Sequence, residues 1–293
     1  MPEPSETIII ASEVLAVEIA TLGAELQRLT GSGSRELLWG GDPTFWRGRA
    51  PILFPVIGML AGGVYRSGDK TYAMPKHGFA RISLFDVAER SDTAVTMRLA
   101  ASKATRAMYP FEFTLDLKFA LAAATLTVSA TIANNGSGPM PASFGFHPAF
   151  HWPLPFGAGR ADHWLYFANA EPAPVRRIDA NGLLTPIAYP TPVEGNRLLL
   201  RDELFADDAL IFDRLVSREV AYGAASGPRV TVDFEDFATL GVWTKPGAGF
   251  ICIEPWQGFA DPQGFAGDIR DKPGIIEIAP GGRRAFVMRI GIG

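Results

Sequence analysis

Cysteine is almost missing from this chain: Cys252 is the only one in 293 residues. No internal disulfide can form, and a reducing compartment or the lack of a redox role is the expectation. Nothing cationic stands beside Cys252 in sequence, so it reads as buried filler rather than as a nucleophile. Long apolar runs are missing too. No window reaches the about 18 apolar residues of a membrane-spanning helix. The opening MPEPSETIIIASEV is acidic and lacks both a basic start and a long apolar stretch, unlike a secretion signal. Lys and Arg are scattered over a chain of formal net charge −4, without a basic run or an RNP-like aromatic motif, which argues against a nucleic-acid surface. G-x-S-x-G, G-x-G-x-x-G and P-loop patterns are absent, so acyl-enzyme, dinucleotide and nucleoside-triphosphate chemistry have no support. What these absences leave is a soluble, cytoplasmic protein with no nucleic-acid and no membrane partner.

What is present is strand periodicity. FEFTLDLKFAL puts Phe113, Leu115, Leu117 and Phe119 on one face and Thr114, Asp116 and Lys118 on the other. That alternation marks one dry and one wetter face of an antiparallel sheet. FDVAERSDTAVTMRLAAS reads as a hairpin turning at Ser91-Asp92, and TLTVSATIANNGSGPMPASFGF as strand, Asn135-Gly136 turn, strand. TIIIASEVLAVEIA and ELQRLT read as two strands broken at Leu22-Gly23. Further strands are expected at 164–167, 209–212, 229–234, 239–243, 250–254 and 284–290. Helical signal is confined to 105–110 and 201–208, a turn or two each. The 31 Gly and 23 Pro fall between strands, as turns in a large β-sandwich require. The Pro-rich stretch 153–174 is a long loop on this reading, so residues 1–293 form a single all-β domain.

The chemistry-bearing residues cluster in a few stretches. GFICIEPWQGFAD (249–261) begins as a strand with Phe250, Cys252 and Glu254 on one side and Ile251 and Ile253 on the other. Pro255 has no N–H and is expected to end the ladder there. A carboxylate in that setting is either bonded to neighbouring loop N–H groups or functional, because an idle buried charge is costly. In SFGFHPAFHW, Ser143, Gly145 and His147 share a face, and two small residues ahead of an imidazole leave space that a substrate ring could fill. His77, in MPKHGFAR, sits on a connecting segment where function concentrates. His147 and His151 have the spacing of a helical metal pair, but Pro148 opposes a helix and thiols are lacking, so no metal site is expected. His151 and His163 read as rim or surface residues. In FWRGRAPILFPVIG, Arg47 or Arg49 could bind hydroxyl pairs or form a structural salt bridge. Among Glu203, Asp207 and Asp208, Asp208 is the one best placed to face a cleft. A carboxylate paired with an imidazole can take one proton from a substrate and give another to it.

Together GRAPILFPVIG, MPKHGFAR, SFGFHPAF, DELFADDALIF, GVWTKPGAGFICIEPWQGFAD and the late KPG resemble the aldose 1-epimerase (galactose mutarotase-like) family, in its shorter bacterial branch. The likeness runs from about Ile8 to the C-terminus. It implies an antiparallel β-supersandwich with an open carbohydrate groove, an isomerase that needs no cofactor, and a monosaccharide substrate, a hexose. The family's glutamate falls on Glu254 and its catalytic histidine on His147. Its substrate-binding groups fall on His77, Asp208 and, of the two arginines, Arg49. The galactose enzymes carry an Asn-Arg pair where this chain has Pro51-Ile52, so the resemblance leaves the sugar open. A hexose 6-phosphate served by Arg81 or Arg47, a non-catalytic carbohydrate-binding module, and a glycoside hydrolase using Glu254 with Asp208 are the alternatives.

Overall fold

A computed structural model of the chain describes residues 5–293; of the acidic opening noted above, residues 1–4 lie outside the described part. Antiparallel ladders carry the architecture. A nine-stranded sheet runs in the order Arg197–Leu199, His163–Phe167, Glu219–Ala224, Val230–Asp233, Arg283–Ile292, Thr125–Asn134, Phe113–Ala122, Ala94–Ala100 and Asp86–Arg90. A second sheet orders Leu210–Phe212, Thr239–Trp243, Phe250–Gln257, Phe144–Phe146 and Ile52–Leu53, and Ala149–His151 also pairs with Phe250–Gln257. A four-stranded sheet, Thr7–Ala11, Ala16–Ala20, Leu26–Gly31 and Arg35–Glu36, completes the large elements. The architecture is an all-β supersandwich of antiparallel sheets. Among the described residues the one α-helix is Lys103–Met108, closed by a Ser102/Thr105 capping box. No described helix is long and apolar enough to cross a membrane.

The second sheet is buried on both faces, and alternation sorts its residues between them. Ile251, Ile253, Leu240, Val242, Phe144 and Phe146 join the main core, where Phe144 stacks on Phe286 of the nine-stranded sheet at 5.4 Å between centroids. Glu254, Trp243, Trp256, Ile211 and His147 look the other way, into a pocket. This double burial fixes the register. A slip of one residue would drive the Glu254 carboxylate into the phenylalanine core, at a cost far above what one ladder bond returns.

The structure revises several expectations. Pro255 does not end its strand, which continues to Gln257 with Pro255 opposite Leu240. Its backbone faces the other neighbour, its carbonyl lying beside Gly145. On that side the ladder is already interrupted between Gly145 and Ala149, so the missing N–H removes little. The first strand is two, because Ser12 Oγ accepts the N–H groups of Val14 and Leu15 and turns the chain there. The strand after Asn135-Gly136 leaves the sheet it came from and pairs with Ile276–Ile278. The Asn134 amide fixes that exit by donating to the Gly138 and Ile278 carbonyls, each at 2.8 Å. His163 is no surface residue: it is buried, with Leu154 N–H on Nε2 at 3.1 Å and the Gly159 carbonyl 2.8 Å from Nδ1.

Candidate active site

The second sheet's outer face forms the floor of a pocket of about 250 Å³. Trp46, Trp243 and Trp256 form aromatic walls around His77, His147 and Glu254. An adjoining hollow shares Lys76, Ile178, Gly182 and Asp208 with it and opens the site toward solvent.

Glu254 and His147 reach the pocket from neighbouring strands. Glu254 is on the central strand opposite Gly241, and His147 follows Phe146, where Pro148 breaks the edge. Glu254 is 1% exposed and His147 7%. His147 Nε2 lies 3.0 Å from Glu254 Oε2. The contact is an ion-pair approach rather than a formed hydrogen bond, and Glu254 Oε2 and His147 Nδ1 are both sealed from solvent without a hydrogen-bond partner. Two buried groups able to carry charge thus touch each other while neither is satisfied by the protein. Native interiors rarely leave such groups idle.

His77 is arranged differently. It takes a positive φ of 66°, a strained conformation for a residue with a Cβ. The following Gly78 also has positive φ and lies so close to Phe54 that a Cβ on it would meet the Phe54 oxygen at 2.1 Å. This packing forces the turn that points the imidazole inward. Gly58 N–H donates to His77 Nδ1 at 3.1 Å, which makes Nδ1 the acceptor and leaves the proton on Nε2. Burial, helped by His147, Lys76 and Arg81 nearby, lowers its pKa well below the usual histidine range, so the ring is neutral. Its centroid is 5.8 Å from that of His147, edge to face.

Of the residues singled out in sequence, Glu254, His147, His77 and Asp208 meet at the pocket, and Arg49 does not. Asp208 is exposed at the mouth, with φ of 66° and its Oδ1 bonded by Ala209 N–H at 2.7 Å. Arg49 turns away: its Nη1 donates to the Gln27 carbonyl at 2.8 Å, and Glu25 accepts its backbone N–H at 2.8 Å. Arg47 is exposed and also outside the lining. The cations at the pocket are Lys76 and Arg81.

From the arginine stretch it is Trp46 that enters the site, its ring 4.9 Å from His147. Nothing local in FWRGRAP distinguishes it from the flanking arginines. The small residues before His147 also serve a different end from the one expected. A Cβ on Gly145 would lie 2.7 Å from Trp256 Cδ1, and one on Gly241 would lie 2.6 Å from the same indole. The space over those glycines is filled by Trp256, not left for a ligand, and the indole becomes part of the pocket wall. His147, Cys252 and Glu254 bring possible metal-donor atoms within 4.8 Å of one another. Burial and the Glu254 charge push the Cys252 thiol well up, so it rests protonated beneath the pair.

The chain resembles known proteins along nearly its whole length. A family model described as aldose 1-epimerase matches residues 6–267. Protein LacX (chromosomal) of Lactococcus lactis subsp. lactis is 32% identical over 284 residues, 94% of this chain and 95% of that protein. The crystal structure of a galactose mutarotase-like protein from Lactobacillus casei is 32% identical and superposes with a TM-score of 0.91 over 98% of this chain and 100% of that one. A galactose mutarotase related enzyme from Lactobacillus acidophilus is 28% identical, with a TM-score of 0.89 over 98% and 97%.

Proposed function

The chain belongs to the aldose 1-epimerase family, a family of sugar isomerases, and on that premise we propose that it interconverts the α and β anomers of a free hexose by acid–base ring opening and reclosure. The observation that carries this reading is the contact between Glu254 and His147, buried, 3.0 Å apart and unsatisfied at the pocket floor.

In the proposed reaction Glu254, as carboxylate, removes the proton from the anomeric hydroxyl. His147, as imidazolium, donates to the ring oxygen, and the bond between C1 and the ring oxygen breaks to give the open aldehyde. Rotation about C1–C2 presents the other carbonyl face. Reclosure returns one proton to the anomeric oxygen and takes the other back from the former ring oxygen. Each turnover ends with both side chains protonated as they began, so no outside proton is consumed. Positioned acid–base groups of this kind contribute roughly 10²–10⁴ in rate. His77 donates from its neutral Nε2–H to a sugar oxygen, and Asp208 accepts from a hydroxyl at the mouth. Trp46, Trp243 and Trp256 offer faces to the apolar C–H side of the ring.

Lys76 and Arg81 form no ion pair among the described residues, although both line the pocket. This favours a hexose 6-phosphate as a second substrate reading, with those two cations on the phosphate. Polarimetry of freshly dissolved α-D-glucose, α-D-galactose and glucose 6-phosphate, with and without protein, tests both. Acceleration over the spontaneous rate that is lost in Glu254→Gln and His147→Ala supports the epimerase. Binding without acceleration of any of the three would replace it with a sugar-binding module.

A further inference from the structure

The Lys272-Pro273-Gly274 sequence puts no side chain into the active-site pocket, yet it packs on the turn by which the chain leaves the Glu254 strand. Gly274, with φ of +81°, comes so close that a Cβ on it would lie 2.9 Å from the Gly258 Cα. The Gln257 side-chain amide donates to the Gly274 carbonyl at 2.8 Å. Lys272 Nζ lies 3.0 Å from Asp261 Oδ1 as an ion pair, both side chains almost wholly buried and neither atom with another hydrogen-bond partner. Burial pulls the ammonium pKa down and the Asp261 charge opposes that shift. An ammonium at this depth needs its counter-charge, and removing either partner strands the other.

Asp261 uses its remaining groups on the 58–61 loop. Its Oδ2 accepts Ala61 N–H at 2.9 Å, and its own N–H donates to the Met59 carbonyl at 2.9 Å. Its neighbour Ala260 stops Gly58 from moving, since a Cβ on Gly58 would lie 2.5 Å from the Ala260 Cβ. Gly58 in turn is tied to His77 twice. Its N–H donates to Nδ1 at 3.1 Å, and its carbonyl accepts the His77 backbone N–H at 2.9 Å. Contacts therefore run without a gap from Lys272 through Asp261 and the 58–61 loop to the imidazole.

We propose that Lys272 is a positioning residue: through Asp261 it holds Gly58 N–H on His77 Nδ1, so that His77 presents Nε2–H to the substrate. This rests on the reading of His77 as a sugar-binding donor. If the pair only stiffened the fold, removing it would lower the unfolding midpoint and leave the His77 tautomer unchanged.

The test is a long-range ¹⁵N–¹H correlation spectrum of the histidine ring nitrogens, recorded on the full chain for the wild type, Lys272→Met and Asp261→Asn. His77→Asn supplies the assignment. Wild-type His77 is expected to show the Nε2–H pattern. In the variants its two nitrogens should move toward an averaged tautomer, and kcat should fall by about tenfold to a hundredfold, as small misplacements at a site do, with KM changing less. Asp261→Asn keeps an acceptor for Ala61 N–H and lets the buried amine go neutral, so it carries the test if Lys272→Met does not fold. A folded variant whose His77 nitrogens keep the wild-type pattern overturns the proposal, whatever its stability. The ring-nitrogen pattern needs no substrate, so a wild type without epimerase activity would refute the functional reading, while the spectra alone decide whether Lys272 sets the His77 tautomer.

Discussion

Glu171 and Glu254 are each 1% exposed, and the protein treats them in opposite ways. The Glu171 oxygens take the N–H groups of Val216 and Ser217, at 3.0 and 2.7 Å. Glu254 receives no N–H bond among the described residues, and its Oε2 has only the His147 imidazole 3.0 Å away. The buried histidines repeat the contrast. His163 has both ring nitrogens matched to backbone groups, whereas His147 Nδ1 has nothing. Depth alone therefore does not mark a working group. The satisfied glutamate and histidine hold loops. The Glu254–His147 pair lines the pocket, and that position, not missing bonds alone, separates it from the equally unbonded Lys272–Asp261 pair.

The same substitution in the two glutamates breaks the comparison most cleanly. Glu254→Gln should lower kcat for anomer exchange by about 10²–10⁴, the share of a positioned acid–base group. Its denaturant midpoint should change little, since the buried charge is lost while the imidazole it faced can give up its proton and stay neutral. Glu171→Gln should do the reverse. It turns an amide NH₂ toward one of two backbone N–H groups and should cost about 1–3 kcal/mol in urea unfolding, with kcat unchanged. Equal losses of activity in the two variants would end the distinction.

The histidines sharpen it through pH. His77 has a folded pKa well below its ordinary 6.5 because of burial. Below about pH 6.5 the unfolded chain takes up that proton and the folded chain does not. Stability should therefore fall with falling pH at up to about 1.4 kcal/mol per unit from this residue, with no contribution above pH 6.5. In His77→Asn the slope of the unfolding free energy between pH 6.5 and 5 should be shallower. The smallest effects are expected at the pocket mouth. Arg81→Ala should raise KM for glucose 6-phosphate about 3- to 10-fold, in the range of a partly exposed charged contact, and leave KM for free glucose unchanged, while Arg49→Ala should leave both alone and cost a little stability through the lost bond to Gln27.

Much of this was readable in the chain. Period-two alternation in GFICIEPW put Glu254 and Cys252 on one face and the isoleucines on the other, and both faces proved buried as the continuous apolar run implies. His147 at a strand end and His77 in a Gly-marked turn followed from Pro148 and Gly78. The arginine did not. Which way Arg49 points depends on Glu25 and Gln27, more than 20 residues earlier, and no local pattern encodes that pairing. The effect of Pro255 was misread for a similar reason: the cost of a missing N–H depends on which neighbour that side of the strand faces. Ser143 and Gly145 read as room for a ligand because an indole folding over its own strand partners cannot be seen in spacing.

The strand Phe250–Gln257 lies between partners on both edges and is covered on both faces. Its amide hydrogens can reach solvent only when both layers separate, so they should be among the last in the molecule to exchange with deuterium. The proposed base should thus sit in one of the most slowly opening parts of the protein. Heat should take away structure and activity in one event, with no partly melted stage in which an emptied fold outlives its chemistry.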